Sequence, residues 1–157
     1  MSNSGNETGI AIAAVPTGTS GNVDIVFSDT MGNCDFGLWS TSGVGSVTAT
    51  DFGSSTANPG TFDLDITAGG VAFGISSWDF EGANLNTWAG LTEDWDSQQS
   101  SLNNFTGSSG AFATTQTNLT CSTTRTGAGT RPTFAVASFP GGSATTTVNL
   151  LSTLNAG

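Results

Sequence analysis

Apolar and polar residues alternate along most of the chain, which is the pattern of strands that bury one face. The clearest case is GTFDLDIT at residues 60–67, where three apolar side chains share one side and two aspartates share the other. In GGVAFGIS, at residues 69–76, the second side carries only Ala72 and Gly74. Because these side chains are small, we predict that another layer of the protein approaches this strand closely.

Similar alternation in other segments predicts a set of about nine or ten short strands. In NVDIVFSD, at residues 22–29, three apolar side chains alternate with Asp24. In CDFGLWS, one side carries Cys34, Phe36 and Leu38 and the other carries Asp35 and Trp39. The remaining predicted strands are residues 9–15, 45–52, 110–117, 118–124 and 132–139.

Turn-forming residues separate these strands roughly every 8 to 12 residues, which is typical of an antiparallel sandwich or barrel. We therefore predict an all-β fold, a single antiparallel β-sandwich over residues 1–157, in which the strand number favours a jelly-roll over an immunoglobulin-like topology. At most one short helix is expected, in LTEDWDSQQSSL at residues 91–102. Thr92 would be its N-cap, and three acidic side chains would follow in its first turn.

The last segment, residues 143–157, carries several apolar side chains after a Gly-Gly break. We interpret it either as an edge strand or as a tail that docks on a neighbouring molecule. The predicted strand at residues 9–15 is a second candidate for such a contact, because an exposed strand can extend the sheet of a partner.

The charged residues exclude most function classes. The chain has no histidine and no lysine, and Arg125 and Arg131 are its only cationic side chains. Its net charge of −10 disfavours binding to nucleic acids and to anionic membranes. Catalytic sites built on imidazole or on an amine are excluded, and Walker-type phosphate loops with them. Carboxylates are the only acid–base groups left, so we expect neither an enzyme nor a cofactor.

Cys34 and Cys121 are the only cysteines, and their wide separation excludes a CxxC redox motif and a four-cysteine zinc site. Two interpretations remain. The thiols are either two separate buried side chains, or they form a long-range disulfide.

The segment WAGLTEDWDSQ, at residues 88–98, concentrates two tryptophans and three acidic residues. A glycosidase would need two carboxyl groups facing each other about 5 to 9 Å apart, which neighbouring residues of one turn rarely achieve. A calcium site would recruit Asp79, Glu81 and Asn84 from the preceding loop, but the EF-hand pattern is absent. We therefore predict no metal site and no catalytic residues here.

Two interpretations of this segment involve no chemistry. In the first, Trp88 and Trp95 cover one end of the sandwich while Glu93, Asp94 and Asp96 stay in solvent. In the second, the two tryptophans are exposed and stack on a sugar. These five residues are therefore the candidate glycan-binding or contact residues of the chain.

Three segments together, CDFGLWS, TWAGLTEDWDSQ and FAVASFPGG, resemble small β-rich proteins encoded by bacteriophages and prophages of marine bacteria. The specific element is the run W-x-G-x-T-E-D-x-D, which corresponds to Trp88–Asp96. The resemblance implies a virion component, either a decoration or cement protein of the head or a module of the tail or fibre.

We therefore expect a structural virion protein, most simply a capsid decoration subunit located on the capsid surface. Its partners would be the major capsid protein or other virion proteins, and copies of the chain would assemble, preferentially as a trimer. The alternative is a glycan-binding module of a tail fibre or cell surface, for which the stacking groups would be Trp39, Trp78, Trp88 and Trp95.

Overall fold

The computed structural model of the protein describes residues 6–15, 22, 24–26, 34–79, 86–99, 103–126, 130–142 and 147–155. These residues form eleven strands and contain no helix. The strands are β1 (Asn6–Val15), β2 (Gly37–Thr41), β3 (Asp51–Ser55), β4 (Gly60–Ile66), β5 (Val71–Asp79), β6 (Asn86–Ala89), β7 (Thr92–Gln99), β8 (Asn103–Ala111), β9 (Gln116–Arg125), β10 (Thr130–Phe139) and β11 (Thr147–Asn155).

The strands form three antiparallel sheets, and one of these sheets lies between the other two. The central sheet has five strands in the order β3-β10-β5-β8-β7, and a three-stranded sheet, β4-β9-β6, packs against one of its faces. The third sheet, β1-β11-β2, packs against the other face. The predicted all-β antiparallel sandwich is thereby confirmed.

The strand order is that of a long hairpin rolled up on itself. Along the hairpin β2 pairs with β11, β3 with β10, β4 with β9, and β5 with β8. Rolling brings β10 beside β5 and β9 beside β6. A jelly roll is built from two sheets, whereas these strands form three, so the jelly-roll topology stays a prediction. Strand β7, near the hairpin tip, extends the central sheet by pairing with β8.

The main apolar core lies between the central sheet and β4-β9-β6. Strand β4 contributes one face to this core, as its alternation predicted: Leu64 and Ile66 are buried, whereas Asp63 and Asp65 are exposed. The buried apolar members of this cluster are Leu64, Ile66, Ala72, Trp88, Leu91, Cys121, Phe134 and Val136. On the opposite face Val44, Phe73, Ala137 and Phe139 form a second cluster.

Strand β5 is covered on both faces, which explains its small residues. Its side chains from Ala72 to Trp78 are all buried, and those on the side of β4-β9-β6 begin with Ala72 and Gly74. A Cβ atom added at Gly74 would lie 2.6 Å from the Trp88 ring and 2.7 Å from Ser108 Oγ. The predicted close approach of another layer is confirmed, and the Trp88 indole is the group that approaches.

The candidate for the one short helix, residues 91–102, forms no helix in its described part. Residues Thr92–Gln99 form strand β7, so Thr92 is not a helix N-cap. The ladder with β8 shifts by one residue between Glu93 and Trp95, which makes Asp94 the extra residue of a bulge. Tertiary pairing therefore outweighs the local preference of the acidic run.

Four other segments differ from the simple alternation pattern. The strand predicted at residues 45–52 begins only at Asp51. The strand predicted at residues 110–117 is interrupted, because residues 112–115 lie between β8 and β9. Of residues 22–29, the structure describes 22 and 24–26, and these lie outside any strand. In β2 the side that packs inward is that of Trp39, whereas Phe36 and Leu38 are 60% and 55% exposed.

The C-terminal segment is not an edge strand. Strand β11 lies between β1 and β2 and pairs with both of them. Residues 143–146 and 156–157 of the predicted docking tail lie outside the described part of the chain. Docking of this segment on another molecule stays a prediction.

The two cysteines do not form a disulfide with each other. Cys34 is half-buried, whereas Cys121 belongs to the main core and has no exposed surface. Burial, with a smaller contribution from the negative charge of Asp63, raises the pKa of the Cys121 thiol to about 11.

Glycine at position 74 is expected to be required for the packing of the two sheets. Gly74→Ala should lower the free energy of unfolding by about 1–3 kcal/mol, because the new methyl group overlaps the Trp88 ring. Gly9→Ala is the matched control, since a Cβ atom there meets nothing within 4 Å. Urea denaturation of both variants tests this, and equal effects would contradict it.

The Cys121 thiol should be unreactive in the folded protein. A pKa of about 11 leaves about one thiol in a thousand ionised at pH 8, and the side chain is fully buried. In Cys34→Ser, which isolates Cys121, Ellman's reagent should react only as denaturant unfolds the chain. Rapid labelling of the native variant would refute the buried location.

Candidate functional site

The predicted site run, Trp88–Asp96, covers the end of β6, a two-residue connection and most of β7. The connection starts at Gly90, whose φ of 83° lies in the left-handed region. At this point the chain crosses from β4-β9-β6 to the central sheet. The crossing places Trp88 and Trp95 on opposite faces of the central sheet, so they do not form an exposed pair.

Trp88 lies inside the sandwich, between β4-β9-β6 and the central sheet. Its side chain is 9% exposed, and its ring lies 5.7 Å from the Phe134 ring between centroids. Its Nε1–H donates a hydrogen bond of 2.9 Å to Thr106 Oγ1. The buried indole is therefore both packed and hydrogen-bonded, as a structural residue requires.

Trp95 is half-buried on the other face, in an aromatic cluster with Phe105, Trp39 and Phe73. The ring centroids of Trp95 and Phe105 are 4.7 Å apart, and those of Trp95 and Trp39 are 5.8 Å apart. A Cβ atom added at Gly37 or Gly107 would overlap the Trp95 ring. Both glycines therefore serve the packing of this indole.

Thr106 connects the two tryptophan environments through the central sheet. Its Oγ1 accepts the hydrogen bond from Trp88 and donates one of 3.0 Å to the Trp95 carbonyl oxygen. Since this hydroxyl is fully buried, removing it would leave two polar groups of the site without their partner.

The three predicted acids are exposed, and two of them serve as hydrogen-bond acceptors. Asp94 Oδ2 accepts a bond of 2.7 Å from Trp39 Nε1, which ties the bulge of β7 to β2. Asp96 accepts a bond of 2.7 Å from Asn86 Nδ2 and one of 3.2 Å from Asn86 N, which ties β7 to β6. These carboxylates thus hold strands of different sheets together.

Glu93 is the third acid. Although the side chain is exposed, neighbouring protein atoms displace some of its water, and this desolvation, followed by the negative charge of Asp96, raises the pKa of its carboxyl group. Within the described ranges, no group of three or more His, Cys, Asp and Glu residues is placed to hold a metal ion. Glu81 and Asn84, which the calcium interpretation would use, lie outside those ranges.

An apolar groove on the surface is a feature that the sequence analysis missed. It lies between β1, β3, β10 and residues 45–50, with a volume of about 400 Å³. Its walls include Ile10, Ile12 and Ala137, and its rim carries Val47 at 43% and Phe52 at 73% exposure. Alternation within residues 45–52 gave no sign of it, because the groove depends on β3 being the edge of the central sheet.

A smaller pocket lies on the same face of the central sheet, between β2 and β8. Its volume is about 140 Å³, and Trp39 and Phe73 line it together with the hydroxyl-bearing Ser40, Thr41 and Ser109. It therefore combines aromatic surface with hydrogen-bonding groups.

Comparison of the chain with protein-family models, with curated proteins and with solved structures finds no match in any of the three. The resemblance to phage proteins therefore stays a prediction. In the described part of the chain, no helix is long and apolar enough to span a membrane.

Trp88→Ala should lower the free energy of unfolding by about 3–5 kcal/mol. The change empties a large aromatic site in the core and removes the hydrogen bond that Thr106 Oγ1 accepts. Thermal or urea unfolding measures the change. A fully folded variant with unchanged stability would contradict the buried placement.

Glu93→Gln should leave stability within about 0.5 kcal/mol of the wild type, since Glu93 is exposed. The melting temperature of the wild type should not change with a chelator. A chelator-sensitive melt that Glu93→Gln abolishes would instead establish a calcium site at this position.

Proposed function

We propose that the chain is a structural virion protein of a bacteriophage, a decoration or cement subunit on the outer capsid shell. The apolar groove beside Phe52 carries the proposal. A solvent-exposed phenylalanine at the rim of an apolar groove is typical of a surface that binds another protein. Decoration of a shell requires such a contact surface on a stable body.

The fold and the charge add support of different kinds. Sandwiches of the jelly-roll type, the topology that the strand number favours, are common among viral capsid proteins and lectins, which is an argument by analogy of fold alone. The net charge of −10 suits a protein displayed in many copies on a particle, because like charges keep particles apart. It also disfavours nucleic acid as the partner.

The partner in this proposal is the major capsid protein or another virion protein. Capsid sites repeat with rotational symmetry, so a subunit that occupies them gains by forming a symmetric cluster, for which a trimer is our expectation. The groove lies at strand β3, the last strand of the central sheet among the described residues, and a partner strand adds at such an edge.

The pocket between β2 and β8 favours the second candidate function, binding of a glycan. Trp39 and Phe73 would offer aromatic surface to a sugar, and three hydroxyl groups would be its hydrogen-bonding partners. Trp78 and Trp88 are too deeply buried to contact such a ligand directly.

Phe52→Ser should weaken binding of the chain to purified capsids of the phage that encodes it by at least about tenfold, because it removes an apolar anchor from the contact. Co-sedimentation of labelled protein with capsids measures the affinity. Phe36→Ser is the matched control, since Phe36 is 60% exposed and does not line the groove.

Two outcomes would reject the decoration proposal. One is a wild-type chain that stays strictly monomeric and never sediments with capsids. The other is an equal effect of Phe36→Ser and Phe52→Ser. If a glycan panel then changes the tryptophan fluorescence, and Trp39→Ala removes the response, the glycan-binding function replaces it.

A further inference from the structure

The interior between the central sheet and β4-β9-β6 is apolar in one half and polar in the other. The polar half is built from inward-facing side chains on four strands, each at most 7% exposed. We call this set the polar seam. It comprises Ser76, Trp78, Asn86, Asn104, Thr106, Ser108, Thr123 and Arg125.

The members of the polar seam are neighbours in space. Trp78 on β5 lies directly opposite Asn104 on β8, and Arg125 on β9 lies over the Trp78 ring at 5.5 Å from its centroid. Further along, Thr123 on β9 lies opposite Trp88 on β6. The Trp88 ring lies beside Gly74 on β5, and Gly74 in turn lies opposite Ser108 on β8. Side chains two residues apart on one strand share a face, so the set forms one continuous strip.

Two hydroxyl groups of the polar seam have partners in the protein. Ser76 Oγ donates to the Thr133 carbonyl oxygen at 2.8 Å, and Thr106 Oγ1 bonds to Trp88 and to the Trp95 carbonyl. The protein therefore satisfies these two hydroxyl groups itself.

Five other side chains of the polar seam carry buried polar atoms that form no hydrogen bond with the protein. The atoms are Trp78 Nε1, Asn86 Oδ1, Asn104 Oδ1 and Nδ2, Ser108 Oγ and Thr123 Oγ1. Burial of so many polar groups without partners is strongly unfavourable, and native proteins satisfy nearly all of them. A cluster on one strip therefore points to a guest that bonds to several of them at once.

The chemistry of these atoms defines the guest. Trp78 Nε1 and Asn104 Nδ2 donate, the two asparagine oxygens accept, and the hydroxyls of Ser108 and Thr123 do either. A cation would face the positive charge of Arg125, which belongs to the seam, and a simple anion has no hydrogen to donate to the two asparagine oxygens. The guest must be small, neutral, and able both to donate and to accept.

We propose that the polar seam is a binding site for ordered water. Water fits the closed position of the strip, because internal waters bridge two to four otherwise unsatisfied groups. A saccharide has the same hydroxyl chemistry but is too large for a strip whose side chains are at most 7% exposed. The site is distinct from the proposed capsid contact, since the groove lies on the opposite face of the central sheet.

Thr123→Val tests the proposal through the sign of its effect. If Thr123 Oγ1 holds a water, the nearly isosteric valine removes that bond, and the melting temperature should fall by about 2–4 °C. In a dry seam the same change removes an unsatisfied hydroxyl, and the melting temperature should rise. Thr124→Val, at the exposed neighbouring position of β9, corrects for the preference of valine for strands.

Water contacts of the two buried indoles give a second readout that does not depend on stability. Trp78 Nε1–H should show nuclear Overhauser contacts to water in NMR spectra, whereas Trp88 Nε1–H, which donates to Thr106, should show none. Absence of water contacts at Trp78, together with a higher melting temperature of Thr123→Val, would overturn the proposal.

A titration with glucose and with glycerol tests whether the seam is closed to larger hydroxyl-bearing molecules. If water alone occupies the seam, neither compound should shift the Trp78 indole signal. A saturable shift with glucose that Thr123→Val abolishes would overturn the assignment of water as the guest.

Discussion

The fit of the Trp88 indole against the backbone of Gly74 is the contact on which the sandwich depends. Strand β5 lies at the centre of the fold and is covered on both faces, so its side chains must be small wherever a large group approaches. The indole fills this space and directs its Nε1–H to Thr106 on the next strand. One residue of β6 thereby fixes both the spacing and the relative position of two sheets.

The crossing between sheets explains why the two tryptophans of one short segment have different roles. The chain crosses between sheets at Gly90, so Trp88 belongs to one layer and Trp95 to another. Trp95 then packs on the opposite face, where the bulge at Asp94 and its bond to Trp39 attach β2. The acidic residues between the tryptophans connect strands and do not converge on a cleft.

Local alternation was enough to predict the strands whose pattern reflects burial on one face, such as β4. It also predicted the close approach to Gly74, because small residues on a strand imply a neighbour. The candidate helix at residues 91–102 does not form in its described part, because β7 acquires its conformation from pairing with β8. Local residue preferences do not encode such a contact between elements. The groove at Phe52 was missed for a related reason, since exposure at an edge depends on which strand ends the sheet.

The polar seam and the apolar groove place two different chemistries on the two faces of β10 and β5. On one face alternate residues of β10, Phe134 and Val136, belong to the core that adjoins the seam, and on the other Ala135 and Ala137 form the floor of the groove. Strand β5 is buried on both faces, and close-packed interiors of this kind transmit strain. The central sheet is therefore the layer through which the groove and the seam are coupled, because a displacement of β10 on one face acts on the packing of Phe134 and Val136 on the other.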